Sequence, residues 1–330
     1  MAASEMIQEL IRAHVEQNDA RFRTVALQLA SREARNGHRI VASRIRDLID
    51  SAVTNAAKPV NAPTATPLAR PSEDLRSVLA VGYPKERLAD IILLDELADA
   101  LPRVLIEHRS REQLERFGLQ PRRRLLLHGP PGCGKTLAAA VIAGELGLPL
   151  LRVRIETLFS RYLGQTAALL SAVFVEMNRV RGVYLFDEFD ALGRQRFAAN
   201  DVGEASRVVS TFLQLVDADD SGAIIVAASN GVNEIDHAVF RRFDDVAHVP
   251  LPSVDATGRL LRLRTRGQRI PARELDALAT DLPDLSFAET SRVVTEAMKT
   301  MVLDGRNRLR TEDLKAAAER IRVRHRGTSE

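Results

Sequence analysis

Between about residues 74 and 251, short apolar runs alternate with longer segments in which apolar positions recur every three or four residues. The short runs predict strands and the longer segments predict helices. The predicted strands are Leu125–Leu127, Leu150–Ile155, Val183–Phe186, Ala223–Ala228 and Val246–Val249, and the predicted helices are Leu137–Leu146, Gln165–Asn178 and Glu204–Val216. Strands that alternate with helices predict an α/β fold, with a parallel sheet covered by helices on both faces.

The segments on either side of this region have a different pattern. Residues 1–53 contain three amphipathic stripes typical of a three-helix bundle, and residues 54–73 are rich in proline. After residue 252 the strand patterns stop, and Ser286-Phe287-Ala288-Glu289 matches a capping box that opens a helix. We therefore expect an N-terminal bundle over 1–53, a linker over 54–73, a large α/β domain over 74–252 and a small helical domain over 253–330.

Composition excludes several classes of protein. The chain has 330 residues, 45% of them hydrophobic, and a single cysteine, Cys133. No run of about 18 apolar residues would span a membrane, and the start of the chain does not match a secretory signal. A lone cysteine precludes an intrachain disulfide and suits the cytoplasm. The net charge of +3 is too small to indicate a nucleic-acid partner, and no histidine or cysteine cluster has zinc spacing.

One loop carries the strongest chemical signal. Its residues fit the pattern G-x-x-x-x-G-K-[ST] and are Gly129, Pro130, Pro131, Gly132, Cys133, Gly134, Lys135 and Thr136. The loop lies between a predicted strand and a predicted helix, as a phosphate-binding loop requires. Backbone N–H groups and the helix N-terminus then face anionic oxygens. We expect these residues and Leu137 to bind ATP, with Lys135 on the β- and γ-phosphates and Thr136 on Mg²⁺.

Polar residues follow two other predicted strands, at the edge where ligands bind in open α/β sheets. Asp187 and Glu188 end the strand Val183–Phe186, and Asn230 follows the next strand along the chain. We expect Asp187 to hold Mg²⁺, Glu188 to polarise the water that attacks the γ-phosphate, and Asn230 to orient that water. The alternatives are a pair of solvated acids that cap a helix, and a turn-forming asparagine.

Two arginines precede the last predicted strand, in the run Phe240-Arg241-Arg242-Phe243-Asp244. One interpretation is that Arg241 and Arg242 reach the γ-phosphate of a neighbouring subunit and stabilise charge in the transition state. The other is that they are solvated or ion-paired surface residues, which is the usual position of arginine. The residues alone leave both interpretations open.

The order of these motifs resembles that of the AAA ATPases, the ring-forming branch that includes spastin-like severing proteins and the ATPase modules of membrane proteases. Val183–Asp190 looks like that family's second nucleotide motif, and Ala227–Asn230 resembles its sensor strand. Ile235–Asp244 is similar to its second homology region, which carries the arginine fingers. The resemblance covers about residues 85–325. It implies a homo-oligomer, in that family a hexamer, a protein substrate and a helical lid over the nucleotide.

The resemblance also implies a role for a loop after the second predicted strand. Arg161-Tyr162-Leu163-Gly164 is similar to the family's pore loop, in which an aromatic from each subunit grips extended polypeptide. Tyr162, Leu163 and Gly164 are therefore expected to contact substrate; the alternative is that Tyr162 packs into the local core. Arg194–Asn200 resembles a second, more polar pore loop.

The predicted lid departs from part of the family. The helix that starts at Ser286 lacks an arginine in its opening turn, where one branch of the family carries a second sensor. Arg292 is the nearest substitute along the sequence.

These features together predict ATP hydrolysis that drives remodelling or unfolding of a protein through a ring pore, with the N-terminal bundle recruiting substrate or adaptor. No protease motif is present, so proteolysis requires a separately encoded protease. Two alternatives remain. One is a nucleotide-switched regulator of a partner, such as a serine protease in a plasmid-maintenance or antiphage system. The other is a DNA-associated ATPase, for which the basic C-terminal tail is weak support.

Overall fold

The computed structural model describes residues 25, 29–30, 71–72, 75–160, 166–191, 202–231, 237–282 and 284–327. The chain divides into two compact units, Met1–Thr64 and Ala65–Glu330. In the first unit the described residues, Val25, Leu29 and Ala30, are helical. The rest of the predicted bundle and nearly all of the predicted linker lie outside the described residues, so both stay predictions.

The second unit contains a six-stranded sheet with the strand order β1-β3-β4-β5-β2-β6. Its strands are β1 (Leu79–Gly82), β2 (Arg124–His128), β3 (Leu150–Val153), β4 (Val183–Phe186), β5 (Ile224–Ser229) and β6 (Asp245–His248). Strands β2 to β6 pair in parallel. The edge strand β1 pairs antiparallel with β3, with Leu79 opposite Val153. The predicted parallel sheet is therefore confirmed for β2 to β6.

Helices connect and follow these strands. Those that the structure describes are α1 (Asp95–Arg109), α2 (Arg111–Arg116), α3 (Lys135–Leu146), α4 (Ile155–Ser160), α5 (Thr166–Arg179), α6 (Val202–Ala218), α7 (His237–Phe240), α8 (Val254–Arg264), α9 (Ala272–Thr280), α10 (Phe287–Leu303) and α11 (Thr311–Gly327). No helix in these described ranges combines the length and apolar character needed to cross a lipid bilayer.

Both faces of the sheet are covered by helices, as the side chains of β4 illustrate. Its side chains alternate in direction, so Tyr184 and Phe186 join one buried cluster while Val183 and Leu185 join the other. Helices α5 and α6 complete the first cluster, and helices α1 and α3 complete the second. The Tyr184 hydroxyl donates to the Val180 carbonyl oxygen at 2.9 Å, so its polar group is satisfied within the core.

The last four helices, α8 to α11, enclose an apolar cluster of their own, which includes Leu261, Val293 and Leu314. The predicted capping box is confirmed at the start of α10. Ser286 Oγ accepts from the Glu289 N–H at 3.3 Å, and Glu289 Oε2 accepts from the Ser286 N–H at 2.7 Å. This reciprocal pair fixes where α10 begins, which matters because that end faces the phosphate loop.

Several features differ from the sequence prediction, and three of them concern the elements around the sheet. The predicted strand Leu150–Ile155 ends at Val153, because Ile155 begins α4. Strand β1 was not predicted, since four residues that end in glycine show neither length nor alternation. Helix α1 was not predicted either; it contains Pro102, which lacks the N–H that a helix interior requires.

The aromatic cluster on one face of the sheet generates a stability prediction. Phe212 is fully buried, and its ring centroid lies 5.2 Å from that of Phe186 and 5.0 Å from that of Phe189. Phe212→Ala leaves a cavity among these rings, so we expect the free energy of unfolding to fall by about 3–5 kcal/mol. Urea unfolding followed by circular dichroism measures this loss.

The matched control for this variant is Phe117→Ala. The Phe117 side chain is 76% exposed, so its removal creates no cavity and is expected to change stability by about 0.5 kcal/mol or less. Equal losses in the two variants would contradict the proposed packing of this core.

Candidate active site

The predicted phosphate loop lies between β2 and α3, at the carboxyl edge of the sheet. Its first glycine, Gly129, has φ 144°, and a Cβ there would lie 2.2 Å from the Val249 carbonyl oxygen. Gly132 has φ 76°, and a Cβ there would lie 2.6 Å from Ser286 Oγ. Glycine is required at both positions, since other residues rarely adopt these angles and their side chains have no room.

Lys135, the first residue of α3, points back into this loop. Its Nζ donates to the Gly129 carbonyl oxygen at 2.7 Å and to the Pro130 carbonyl oxygen at 2.8 Å. The side chain is buried, and burial lowers the pKa of its ammonium group. An anion close to Nζ offsets this cost of burial, because opposite charge favours the protonated form. Lys135 is therefore suited to bind a phosphate.

Thr136 and Asp187 come together at the mouth of the loop. Thr136 Oγ1 donates to Asp187 Oδ2 at 3.0 Å, which links the start of α3 to the end of β4. A hydroxyl and a carboxylate are hard oxygen donors, so this pair fits the chemistry of Mg²⁺. In the described ranges no group of three or more histidine, cysteine or acidic residues is arranged to hold a metal. A magnesium ion here would thus need oxygens from phosphate or water as well.

Glu188 has an unusual backbone conformation. Its φ is 55°, in the left-handed region that residues with side chains seldom occupy, and its N–H donates to Asp187 Oδ1 at 3.2 Å. Strain of this kind costs of the order of 1–3 kcal/mol and is concentrated at functional sites. Glu188 is exposed and lines the same pocket as Thr136 and Lys135.

A buried carboxylate that the sequence analysis did not single out positions the end of β5. Asp190 is 3% exposed, and its Oδ1 accepts from Ser229 Oγ at 3.2 Å and from the Asn230 N–H at 3.1 Å. These bonds join the loop after β4 to the end of β5. They hold Asn230 at the pocket that contains Glu188.

Several of the residues above line a cavity of about 410 Å³. Of the predicted site residues, the lining set includes Pro131, Gly132, Gly134, Lys135, Thr136, Leu137, Asp187, Glu188 and Asn230. Gly129, Pro130 and Cys133 belong to the loop but do not line the cavity. The Cys133 thiol is buried behind the loop, and burial raises its pKa. Its side chain therefore packs, and any role in binding falls to its backbone N–H.

The other walls of the cavity consist of residues that sequence reasoning missed. They are Asp90, Ile91, Ile92, Leu260, Arg264, Phe287, Ala288 and Ser291. Most of these residues are apolar. Together with Leu137 they provide a surface that suits the planar base of a nucleotide. Apolar residues at helix ends and in short loops have no pattern that distinguishes them from core, so no local signal identifies them.

The helical region contacts the phosphate loop directly. The Ala288 N–H donates to the Gly132 carbonyl oxygen at 3.0 Å, which brings the N-terminal end of α10 against the loop. Arg292, the candidate substitute for a second sensor, is exposed and does not line the cavity. The arginine that reaches the cavity from this region is Arg264.

The paired arginines lie outside the cavity and differ from each other. Arg242 Nε is 2.9 Å from Asp217 Oδ2, so the ion-paired interpretation describes Arg242. Arg241 is exposed and makes no hydrogen bond or ion pair within the part of the chain that the structure describes. Neither arginine contributes to the pocket of its own chain.

Both predicted pore loops fall in ranges that the structure does not describe. Residues 161–165, with Tyr162, Leu163 and Gly164, lie outside the described residues, as do residues 192–200. Their roles stay predictions.

A strand, a glycine-rich loop that encloses a lysine, and a helix at the carboxyl edge of a parallel sheet together define a P-loop nucleotide-binding site. Residues 125–251 match the family model described as "ATPase family associated with various cellular activities (AAA)".

Relatives extend this match to nearly the whole chain. An uncharacterized AAA family ATPase of Sinorhizobium fredii, y4kL, is 33% identical over 323 residues, which are 97% of this chain and 95% of the relative. The ATP-dependent zinc metalloprotease FtsH of Acidothermus cellulolyticus is 34% identical over 72% of this chain. Proteasome-activating nucleotidase 1 of Halobacterium salinarum is 31% identical over 69% of it. The matches span 37% and 58% of the lengths of the latter two.

The chain belongs to the AAA ATPase family, and it is an ATP-hydrolysing enzyme.

The close approach of Gly132 to α10 generates a prediction. In Gly132→Ala the new methyl group meets Ser286 Oγ, so we expect α10 to move away from the loop and ATP affinity to fall at least tenfold. Isothermal titration with ATP measures the affinity.

Gly118→Ala is the matched control, because Gly118 has a similar φ of 71° but no atom within 4 Å of its added Cβ. Both variants carry a backbone cost of about 1–2 kcal/mol, yet only Gly132→Ala disturbs the loop. An unchanged ATP affinity in Gly132→Ala would show that this contact does not shape the site.

Proposed function

We propose that this enzyme assembles into a homo-oligomeric ring, a hexamer, and uses ATP hydrolysis to remodel or unfold a protein substrate. One observation carries the proposal. The chain's own pocket contains a phosphate loop, magnesium-compatible oxygens and a strained glutamate, whereas the exposed and unpaired Arg241 stands outside it. In the proposed ring, a second copy of the chain supplies its Arg241 to this pocket.

Within one subunit the roles follow from the contacts. Lys135 binds the β- and γ-phosphates, and the N–H groups of the loop donate hydrogen bonds to the phosphate oxygens. Thr136 and Asp187 hold Mg²⁺, which when bound neutralises charge on the phosphates. Glu188 accepts a hydrogen bond from the attacking water, and Asn230 orients that water. Asp190 keeps Asn230 in place through its N–H.

The two arginines then have different tasks. Arg242 is anchored to Asp217 on α6, so it fixes the turn between α7 and β6. Arg241 is free to extend from that turn to the γ-phosphate of the neighbouring subunit, where it stabilises charge in the transition state. Contact between two different surfaces of identical chains is heterologous, and such contacts form rings when the rotation closes.

The names of the relatives support a protein substrate. One is named an ATP-dependent zinc metalloprotease and another a proteasome-activating nucleotidase. In this proposal the partner that would degrade an unfolded substrate is a separately encoded protease. In this scheme Tyr162, Leu163 and Gly164 grip the polypeptide in the ring pore, and residues 1–53 recruit substrate or an adaptor.

Mixing two inactive variants tests the shared active site. Glu188→Gln removes the group that polarises water, and Arg241→Ala removes the arginine donated to the neighbour. Each variant alone is expected to bind ATP and to lose nearly all turnover. In a 1:1 mixture, about a quarter of the interfaces pair an intact Glu188 with an intact Arg241, so about a quarter of the wild-type ATPase rate should return.

Two results would contradict this arrangement. If the mixture stays as inactive as its components, Arg241 does not act on a neighbouring site. If Arg241→Ala alone keeps the wild-type rate, it has no catalytic role. Arg242→Ala serves as the comparison and is expected to lower the thermal midpoint, because it releases the turn from Asp217.

The pore role of Tyr162 has a separate test. With unfolded casein as the probe, the wild-type ATPase rate is expected to rise, because polypeptide in the pore engages the moving loops. Tyr162→Ala should keep the basal rate and lose this stimulation, since an aromatic ring packs on backbone and apolar side chains whatever their sequence. Tyr83→Ala, which removes an exposed tyrosine directly after β1, is the control. Normal stimulation of Tyr162→Ala would remove the threading role.

A further inference from the structure

The arginine that we assign to a neighbouring pocket lies on a short turn that is fastened to the rest of the subunit. Residues 241–244, here called the finger turn, connect α7 to β6. Phe243 is 7% exposed and belongs to a buried cluster on one face of the sheet, and Arg242 pairs with Asp217. Arg241 is exposed and has no partner among the described residues. Its position therefore depends on what holds the backbone of the finger turn.

Asp244, the last residue of the finger turn, binds the backbone at the start of β2. Its Oδ2 accepts from the Arg123 N–H at 2.8 Å and from the Arg124 N–H at 2.9 Å. The Asp244 N–H in turn donates to the Arg124 carbonyl oxygen at 2.9 Å. Bonds from N–H groups to a carboxylate are charge-assisted, so they are stronger than bonds between neutral groups. Asp244 thus attaches the finger turn to two consecutive residues of the chain.

The backbone that Asp244 contacts is itself fixed. The Arg123 carbonyl oxygen accepts from the Ile225 N–H at 2.6 Å, and the buried Arg123 guanidinium pairs with Asp219. Arg124 is the first residue of β2, which lies between β5 and β6 and leads into the phosphate loop. The contact therefore joins the finger turn to a strand inside the sheet.

The next residue, Asp245, makes a different kind of contact. Its Oδ1 and Oδ2 lie 2.8 Å and 2.9 Å from Nη1 of the Arg122 guanidinium. Asp245 already belongs to β6, where it is opposite Leu125 in the parallel ladder. Loss of its side chain removes an ion pair, but the bonds between Asp244 and β2 remain.

We propose that Asp244 is a positioning residue, which fixes the finger turn to β2 so that Arg241 reaches the γ-phosphate of the neighbouring subunit. Asp244 does not line the pocket of its own chain, so it acts through Arg241. Its effect on the rate is large, because a displacement of about 1 Å in an active site can slow a reaction about a hundredfold. This role rests on the proposed ring and on the function of Arg241 in it.

Mixing experiments test this role, because they show in which subunit's pocket the defect appears. Asp244→Ala alone is expected to bind ATP as the wild type does and to lower the ATPase rate at least tenfold. In a 1:1 mixture with Glu188→Gln, about a quarter of the wild-type rate should return, since about a quarter of the interfaces pair an intact Glu188 with a correctly placed Arg241. In a 1:1 mixture with Arg241→Ala no activity should return, because neither variant offers its neighbour a working arginine. Damage to the fold alone does not produce this pair of results.

Two further variants separate positioning from stability. Asp244→Asn keeps an acceptor oxygen without the charge, so it should retain more of the ATPase rate than Asp244→Ala and show the same pattern in both mixtures. Asp245→Ala is the matched control. It should keep the basal rate and lower the thermal midpoint, because it loses only the ion pair with Arg122.

The role of Asp244 is overturned if Asp244→Ala keeps the wild-type ATPase rate. It is also overturned if activity returns with Arg241→Ala and not with Glu188→Gln, which would place the defect in the variant's own pocket, or if both Asp244 variants recover in neither mixture. Should Glu188→Gln and Arg241→Ala fail to restore each other, the proposed ring fails and the role of Asp244 with it. If that pair succeeds and the Asp244 variants do not, only the role of Asp244 is wrong.

Discussion

The contact on which the site depends is the close approach of the phosphate loop to the N-terminal end of α10. Gly132 leaves no room for a side chain against Ser286, and its carbonyl oxygen accepts the Ala288 N–H. This contact joins a wall made by the sheet to a wall made by the C-terminal helices. A glycine is needed because only a bare backbone permits that distance. The pocket therefore exists only where two cores meet.

The side of the pocket to which we assign catalysis is built on backbone geometry as much as on side chains. Strands β2, β4 and β5 are neighbours and parallel, so their carboxyl ends deliver the loop, the acidic pair and Asn230 to one edge. Glu188, which has a left-handed φ, lines the pocket at that edge. Asp190, buried between the two loops, fixes their separation. Rigid placement of this kind favours catalysis because the groups need no rearrangement during the reaction.

The cationic side chains in and around the pocket differ in whether a protein group holds them in place. Burial confines Lys135 to the loop, and Asp217 confines Arg242 to its turn. Arg241 and Arg264 have no such partner among the described residues; Arg264 lines the cavity, whereas Arg241 lies outside it. A sequence contains all of these side chains but does not show which are already paired. Asp217 lies 25 residues away from Arg242 in the chain, so no local sequence pattern indicates that the two residues pair.

The sequence by itself determined where five of the six strands of the sheet lie, and it located the phosphate loop. Apolar runs located β2 to β6, the glycine spacing located the phosphate loop, and Ser286 with Glu289 located the start of α10. These features are local, because strand and helix periods and capping act over a few residues. Only the tertiary structure decided that Ile91 and Arg264 line the same cavity as the phosphate loop, since packing of elements distant in the chain depends on the fit of whole surfaces.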